Sequence, residues 1–303
     1  MPTAEAAHAA CPMCAAAAPH WNDVFDVNQR LAAEPFPVHR CASCGTLFVH
    51  PVPPDLGRYY PTGYHDVPKD LAAFKARLGG QDFKLGIVRA HAQGGDLLEL
   101  GPSHCEALWL AREAGFRVHG LEMDETCCRF AKDVLGLDDV RRSTDPVADL
   151  PRSPTFDVIT MWHVFEHLPD PSGAAKAIAG ALRPGGVLVV AVPNPESLQL
   201  SVFGRNWVHL DVPRHTVLAP AGALAARMTA LGLRQVAVTW TDEGSVGWNR
   251  FGWVRGFAGR TKNRWLRFGL RVLGRACEVV AFPFERTGRR GAAYTAVFRK
   301  DAA

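Results

Sequence analysis

Residues 96–108 read DLLELGPSHCEAL: an apolar strand, the turn Gly101-Pro102-Ser103, and the start of a helix predicted from about 105 to 114. A strand that turns through glycine straight into a helix opens a βα unit. The pattern then repeats downstream. Strands are predicted at 116–122, 156–161, 187–192 and 234–240, and AAYTAVFRK closes the chain as a last strand. Helices are predicted at 125–134, around 174–182 and near 219–231, and a helical pattern over 71–91 leads in. This alternation implies an α/β fold with a mostly parallel sheet covered on both faces.

Open α/β sheets bind ligands beyond the carboxyl ends of their strands, at the point where the strand order reverses. That directs attention to the loops after DLLEL, VHGLE and FDVITM. Glu122 follows Gly101 by 21 residues, near the offset at which an acid after the second strand meets a ribose diol. A glycine turn with such an acid predicts a nucleoside-bearing ligand.

Four ordered segments, LLELGPSHCEAL (97–108), VHGLEMD (118–124), FDVITMWHVFEHLPDP (156–171) and LRPGGVLVVAVPN (182–194), resemble the class I S-adenosylmethionine-dependent methyltransferases over about residues 71–303. With WVHLDVPRH (207–215) and a cysteine-rich N-terminus, the chain looks like the bacterial branch that methylates sugars, envelope glycans and small metabolites. The resemblance implies a Rossmann-like seven-stranded sheet and S-adenosylmethionine as cofactor. Glu99, Gly101 and Ser103 would then shape the loop around the methionine moiety, and Glu122 would accept both ribose hydroxyl protons. Met123 would pack on adenine, Asp145 would meet the adenine amino group, and Trp162 and His163 would line the cofactor. The chain departs from the family's usual E/D-x-G-x-G-x-G loop, because Ser103 and Cys105 stand at the second and third glycine positions. That leaves open a non-catalytic scaffold built on a degenerate methyltransferase domain.

Methyl transfer generally needs a base for the departing proton, and imidazole titrates near neutrality. His215, His167 and His209 are the candidate bases, with Asp211 placed to orient His215. O-methylation of a small-molecule, sugar or glycan-precursor acceptor is favoured over C- or N-methylation. The Glu166-His167 pair is also similar to the E-x-x-E-H loop that ubiquinone-type O-methyltransferases use for a divalent cation, with His163 in place of the first acid. The string HVFEH matches the inverted zinc-peptidase motif as well, but that motif needs a helix, and Pro169 follows too closely.

Cys11, Cys14, Cys41 and Cys44 form two C-x-x-C pairs with 26 residues between them, the spacing of a four-thiolate structural zinc site. Residues 1–60 are thus expected to form a zinc-ribbon-like module and linker, residues 61–248 the core, 249–290 a helical insertion and 291–303 the final strand. Acidic residues outnumber arginines in residues 1–60, which disfavours a nucleic-acid partner and with it the rival reading as a ribosomal-RNA methyltransferase.

The 303 residues are 48% hydrophobic and 21% charged, near globular averages, which excludes a disordered or fibrous chain. No stretch approaches the roughly 20 apolar residues of a spanning helix, and no basic-then-apolar leader is present, so a cytoplasmic protein is expected. Its formal charge of +4 conceals a segment, 249–290, with eleven Arg or Lys against two Glu. Arg264, Arg267, Arg271 and Arg275 recur at helical spacing, with Trp265, Leu266, Val272, Leu273, Ala276, Val279 and Val280 across much of the opposite face. Three readings of this amphipathic helix stand at this point: contact with an anionic membrane at the inner face, binding of a polyanionic substrate, or packing of its apolar side on the body.

Overall fold

The computed structural model describes residues 8–302 apart from 62, 154, 260 and 288 and the side chain of residue 8. Arg260, one of the basic residues of the insertion, therefore lies outside the described residues. Chain order begins with β1 (His8–Ala10), β2 (Ala17–Val24), β3 (Phe36–Arg40) and β4 (Leu47–Val49). The main body runs α1 (Leu71–Arg77), α2 (Asp82–Arg89), β5 (Asp96–Leu100), α3 (Glu106–Glu113), β6 (Arg117–Glu122), α4 (Glu125–Asp133) and β7 (Val140–Arg142). It continues through β8 (Phe156–Trp162), α5 (Pro171–Ala181), β9 (Leu182–Pro193), α6 (Leu198–Phe203), β10 (Val217–Leu218), α7 (Ala221–Thr229) and β11 (Leu233–Thr239). Two long helices, α8 (Glu243–Ala258) and α9 (Arg264–Thr287), precede the closing strand β12 (Ala293–Lys300).

The expected seven-stranded sheet is present in the order β11-β12-β9-β8-β5-β6-β7. From β9 to β7 all pairs are parallel, and β12 runs antiparallel between β9 and β11. Alternate residues of the strands feed two cores. Leu98, Ile159, Leu188 and Phe298 pack with Ile178 of α5 and Leu224 of α7, whereas Leu97, Val158, Val187 and Val297 pack with Phe74, Val88, Leu108 and Phe130 of α1 to α4. Helices thus cover both faces, and the order reverses between β5 and β8, which puts the switch point beside Gly101.

The helical pattern over 71–91 is two helices, because Gly79 and Gly80 interrupt it and Gly80 takes φ +86°. The RPGG segment, expected as a turn before a strand at 187, is a bulge inside β9. The pairing register jumps there from Phe156–Leu182 to Val158–Val187, with Gly185 at φ +77°. The helical insertion starts at Glu243, ahead of the basic run.

A second sheet, β1-β2-β3-β4-β10, holds the N-terminal cysteines and is completed from far along the chain. Val217 pairs with Phe48 and Leu218 with Leu47. Beneath it, Phe36, Val38, Leu47, Val49 and Tyr59 share one apolar cluster with Trp207, Leu210, Val212 and Leu218. At its centre Arg214 is fully buried, donating to Asp26 Oδ1 at 2.6 Å, to Asp211 Oδ1 at 2.7 Å and to the Tyr59 carbonyl at 2.9 Å. Two carboxylates and a carbonyl satisfy its planar fork, the condition under which such a charge tolerates burial.

Candidate functional site

Leu100 pairs with Leu121 on one side and Met161 on the other, so the carboxyl ends of β5, β6 and β8 finish level. Gly101, Glu122 and Trp162 each come one residue later. Three residues of the loop after β5 adopt the left-handed conformation: Gly101 (φ +63°), Ser103 (φ +49°) and Cys105 (φ +66°). Ser103 and Cys105 therefore keep a glycine-like backbone although each carries a side chain, at a cost of about 1–2 kcal/mol per residue. The Ser103 side chain meets Nδ1 of His65 at 3.0 Å, and the Cys105 thiol is buried.

Glu122 is buried and held at both oxygens, accepting from the Ser103 amide at 2.8 Å and from the Asp124 amide at 2.8 Å. Each oxygen retains a lone pair for a further donor. Met123, next along, is 56% exposed. Asp145, in the loop after β7, is exposed and accepts from the amides of Val147 and Ala148.

Glu99 lies below the loop, and burial pushes its carboxyl up to about 8. Its Oε2, Thr160 Oγ1 and Trp162 Nε1 have no hydrogen-bond partner among the described residues. These three side chains line one cavity with Lys84, with space for about one water centre (≈ 10 Å³), the setting in which a buried water is held.

On the other side of the switch point, His163 (φ +59°) stacks on Trp248 of α8 with centroids 3.9 Å apart, and His209 stacks on the same indole at 4.5 Å. Burial pushes both imidazoles down to about 3, so they are neutral aromatic faces at physiological pH. The HVFEH string is a single turn of 3₁₀ helix, Phe165–His167, and not the α-helix a zinc peptidase needs.

The segment WVHLDVPRH folds back over this turn. Thr216 donates from its amide to the Glu166 carbonyl at 2.7 Å and from its hydroxyl to the Leu168 carbonyl at 2.7 Å. His167 and His215 meet edge to face with centroids 4.7 Å apart, beside the fully buried Glu166, whose two oxygens accept no hydrogen bond among the described residues although Nδ1 of His163 stands 3.4 Å from Oε1. Ring nitrogens of the two histidines and a Glu166 oxygen lie within 4.8 Å of one another. Nδ1 of His215 donates to the His209 carbonyl at 2.9 Å, which leaves Nε2 as the acceptor. Burial pushes His167 down to about 4.

Asp211 lies beside His215 as an ion-pair neighbour, without a direct hydrogen bond to it. It stands 4.0 Å from Nε2, beyond a hydrogen bond, because Arg214 and Asn28 take its oxygens. Burial opposes its ionisation, but Arg214 prevails and holds the carboxyl down to about 2.

The sequence profile of a family described as "Methyltransferase domain" matches residues 64–238. This chain belongs to that family. Among curated relatives of the methyltransferase-domain protein is a ubiquinone biosynthesis O-methyltransferase of Marinobacter nauticus, 33% identical over 34% of this chain and 46% of the relative. A second, from Nitrosospira multiformis, is 28% identical over 44% of this chain and 59% of the relative. The chain spans about half the length of these relatives. A putative sarcosine dimethylglycine methyltransferase from Galdieria sulphuraria superposes with a TM-score of 0.52 at 15% identity, covering 79% of this chain and 95% of that one, a likeness of fold.

The four cysteines of this methyltransferase-domain protein cluster as their spacing predicts. Cys11 and Cys44 sulfurs are 3.6 Å apart and Cys14 and Cys41 sulfurs 3.5 Å, near the roughly 3.8 Å that four sulfurs at about 2.3 Å from a tetrahedral ion require. The two C-x-x-C turns are copies of one another. The Cys11 amide bonds to Ala16 and the Cys41 amide to Thr46, each at 2.9 Å, and Ala15 (φ +61°) and Gly45 (φ +77°) occupy equivalent left-handed positions. The cluster is a set of ligands able to hold a metal ion.

Trp248, Tyr60 and His65 were not legible as site residues. Trp248 lies in the unremarkable run SVGWNR, and Tyr60, 3.0 Å from Nδ1 of His167, sits in a segment that reads as linker. Only the tertiary fold brings them to the sheet edge.

Proposed function

We propose that this protein transfers a methyl group from S-adenosylmethionine to a hydroxyl of a small-molecule acceptor, of the sugar or glycan-precursor class, in the cytoplasm. The observation that carries the reading is Glu122, fixed by two backbone amides beside a loop that keeps left-handed backbone at Gly101, Ser103 and Cys105. A carboxylate so fixed suits two ribose hydroxyls, and its orientation requires no rearrangement on binding. Retention of that backbone without the glycines favours a working cofactor loop over a decayed scaffold. Met123, exposed beside Glu122, is available to an adenine face, and Asp145 to its amino group. Gly101, Trp162 and His163 frame the methionine end, with Glu99 beneath them.

S-adenosylmethionine supplies an electrophilic methyl group on a sulfonium. The chain's part is to bind the acceptor, exclude water and accept its proton. Nε2 of His215 is the assigned acceptor. Asp211, ionised and 4.0 Å away, stabilises the imidazolium that results, and His167 packs edge-on to hold the ring. The relatives named as O-methyltransferases support oxygen as the acceptor atom. A structural Zn²⁺ bound by Cys11, Cys14, Cys41 and Cys44 belongs to the same proposal.

The test is a thermal-shift titration with S-adenosylmethionine, S-adenosylhomocysteine and NADH, on wild type and Glu122→Ala. Ligand at about 100 times Kd stabilises by about 2.7 kcal/mol, a Tm rise of roughly 5 to 10 °C. Both adenosyl ligands should give it, NADH should not, and Glu122→Ala should lose it. No shift at millimolar ligand would refute the reading.

A further inference from the structure

Helix α9 turns its small and carboxylate residues inward and its apolar residues outward. Gly274, Glu278, Ala281 and Glu285, spaced four, three and four, form its buried stripe against α8. A side chain on Gly274 would meet Val254 Cα at 2.8 Å. Arg250 and Arg275 pair with Glu278, and Trp253 Nε1 donates to Glu285 at 2.8 Å. The packing of the apolar side on the body, one of the sequence readings, is therefore overturned, because this polar stripe takes the contact instead.

What remains outside is large and apolar. Trp265 is 74% exposed, Phe268 65%, Val279 70%, Val280 70% and Phe284 63%, and Val272 is exposed with them. At about 100° per residue these side chains fall in one arc about 160° wide. Arg264, Arg271 and Arg275 border that arc on one edge, all exposed. Contiguous apolar surface of this kind marks an interaction site.

We propose that α9 docks on an anionic lipid bilayer, lying along the headgroup region with this arc immersed. No helix among the described residues is long and apolar enough to cross a membrane, so the contact is peripheral. Arginine stems reach over the apolar border while their guanidinium groups stay among lipid phosphates. Charge favours this occupant over a second copy of the chain, since antiparallel face-to-face packing of two α9 helices would bring their arginine edges into one junction. An anionic surface neutralises that edge. The assignment is independent of methyl transfer, and failure of cofactor binding leaves it untouched.

The experiment is vesicle flotation of the full chain, with phosphatidylcholine alone and with about 30% phosphatidylglycerol. A triple variant, Trp265→Ser/Phe268→Ser/Val279→Ser, and a double variant, Arg264→Gln/Arg271→Gln, accompany it. Their side chains are exposed, so both should melt as wild type does. Wild type should float with the anionic vesicles at about 50 mM salt and be released by high salt. The arginine variant should partition about 25-fold less, at roughly five-fold per arginine, and the serine variant should lose binding. Absence of flotation of wild type with anionic vesicles, or flotation of either variant equal to wild type, would overturn the proposal. So would a lipid-free dimer that the serine variant dissociates, which would give the face to a second copy.

Discussion

The backbone amide of Ser103 donates a 2.8 Å hydrogen bond to Oε2 of Glu122, tying the loop after the first core strand to the acid that ends the second. The bond depends on the peptide group and not on the serine hydroxyl, and so does the conformation that aims it.

Ser103→Gly should consequently leave S-adenosylhomocysteine affinity within about threefold, because the amide remains and φ +49° is unstrained for glycine. Glu122→Gln should weaken it about 10- to 100-fold, the worth of hydrogen bonds to a charged acceptor. Titration calorimetry on both variants decides. Equal loss in the two would place the contribution in the Ser103 side chain and its contact with His65.

The two cysteine turns offer a matched pair. Ala15 is exposed at φ +61°, where Gly45 stands at φ +77° in the other turn. Ala15→Gly should stabilise by about 1 kcal/mol, and Gly45→Ala should cost about as much or more, since its Cβ would also meet Pro220 Cγ at 3.2 Å. Thermal melting at constant metal load would show shifts of opposite sign. A destabilised Ala15→Gly would contradict the equivalence of the turns.

Glu99 makes stability depend on pH in an unusual direction. Its folded carboxyl titrates at about 8 and an unfolded glutamate near 4.5, so between these values the folded chain holds a proton that the unfolded chain has released. Stability should fall as pH rises through this window and level off above it. His163, His167 and His209, pushed down by burial, act in the opposite sense and cost stability as pH falls below about 6.5. Urea midpoints of wild type and Glu99→Gln at pH 5 to 8 separate the two: the variant should gain on wild type steadily toward pH 8. Parallel curves would mean that Glu99 is ionised in the fold.

Gly274 is where α9 comes closest to α8. Gly274→Ala puts a methyl 2.8 Å from Val254 Cα and 2.9 Å from the Trp253 carbonyl, backbone atoms that cannot swing aside. Overpacking of this kind costs about 1–3 kcal/mol. Limited proteolysis should cut within α9 faster, with core melting little changed. Unchanged cleavage would show the helix pair to be looser than its geometry.

How much of this was legible from sequence follows from how local each signal is. The Gly101 loop, Glu122 and the cysteine turns announce themselves within a few residues, and the fold delivers them together. The bulge in β9 was hidden because RPGG reads as a turn in isolation, whereas pairing with β8 carries the strand through it. Strand β10 is two residues long, and its partner lies some 170 positions earlier, so no window contains both. The periodicity of α9 was readable, but which face would dock was not, since Gly274 and Ala281 compete for the body by fit and not by hydrophobicity. The closeness of Asp211 to His215 is legible four residues apart, but the ion network that Asp211 shares with Arg214 and the distant Asp26 is not.

The pairing of β10 with β4 also bears on what becomes of the chain if it is cut. Leu47, Phe48 and Val49 are buried in the assembled sheet, and the Val49 amide is capped by the Thr216 carbonyl at 2.9 Å. A fragment ending near residue 60 would bare an apolar strand edge with its amides and carbonyls open, a template for aggregation. The remainder would lose the support beneath Trp207 and Leu218, close to His215. Neither piece is expected to persist alone, so the cysteine turns and the sheet that completes them should fold and unfold as one cooperative unit.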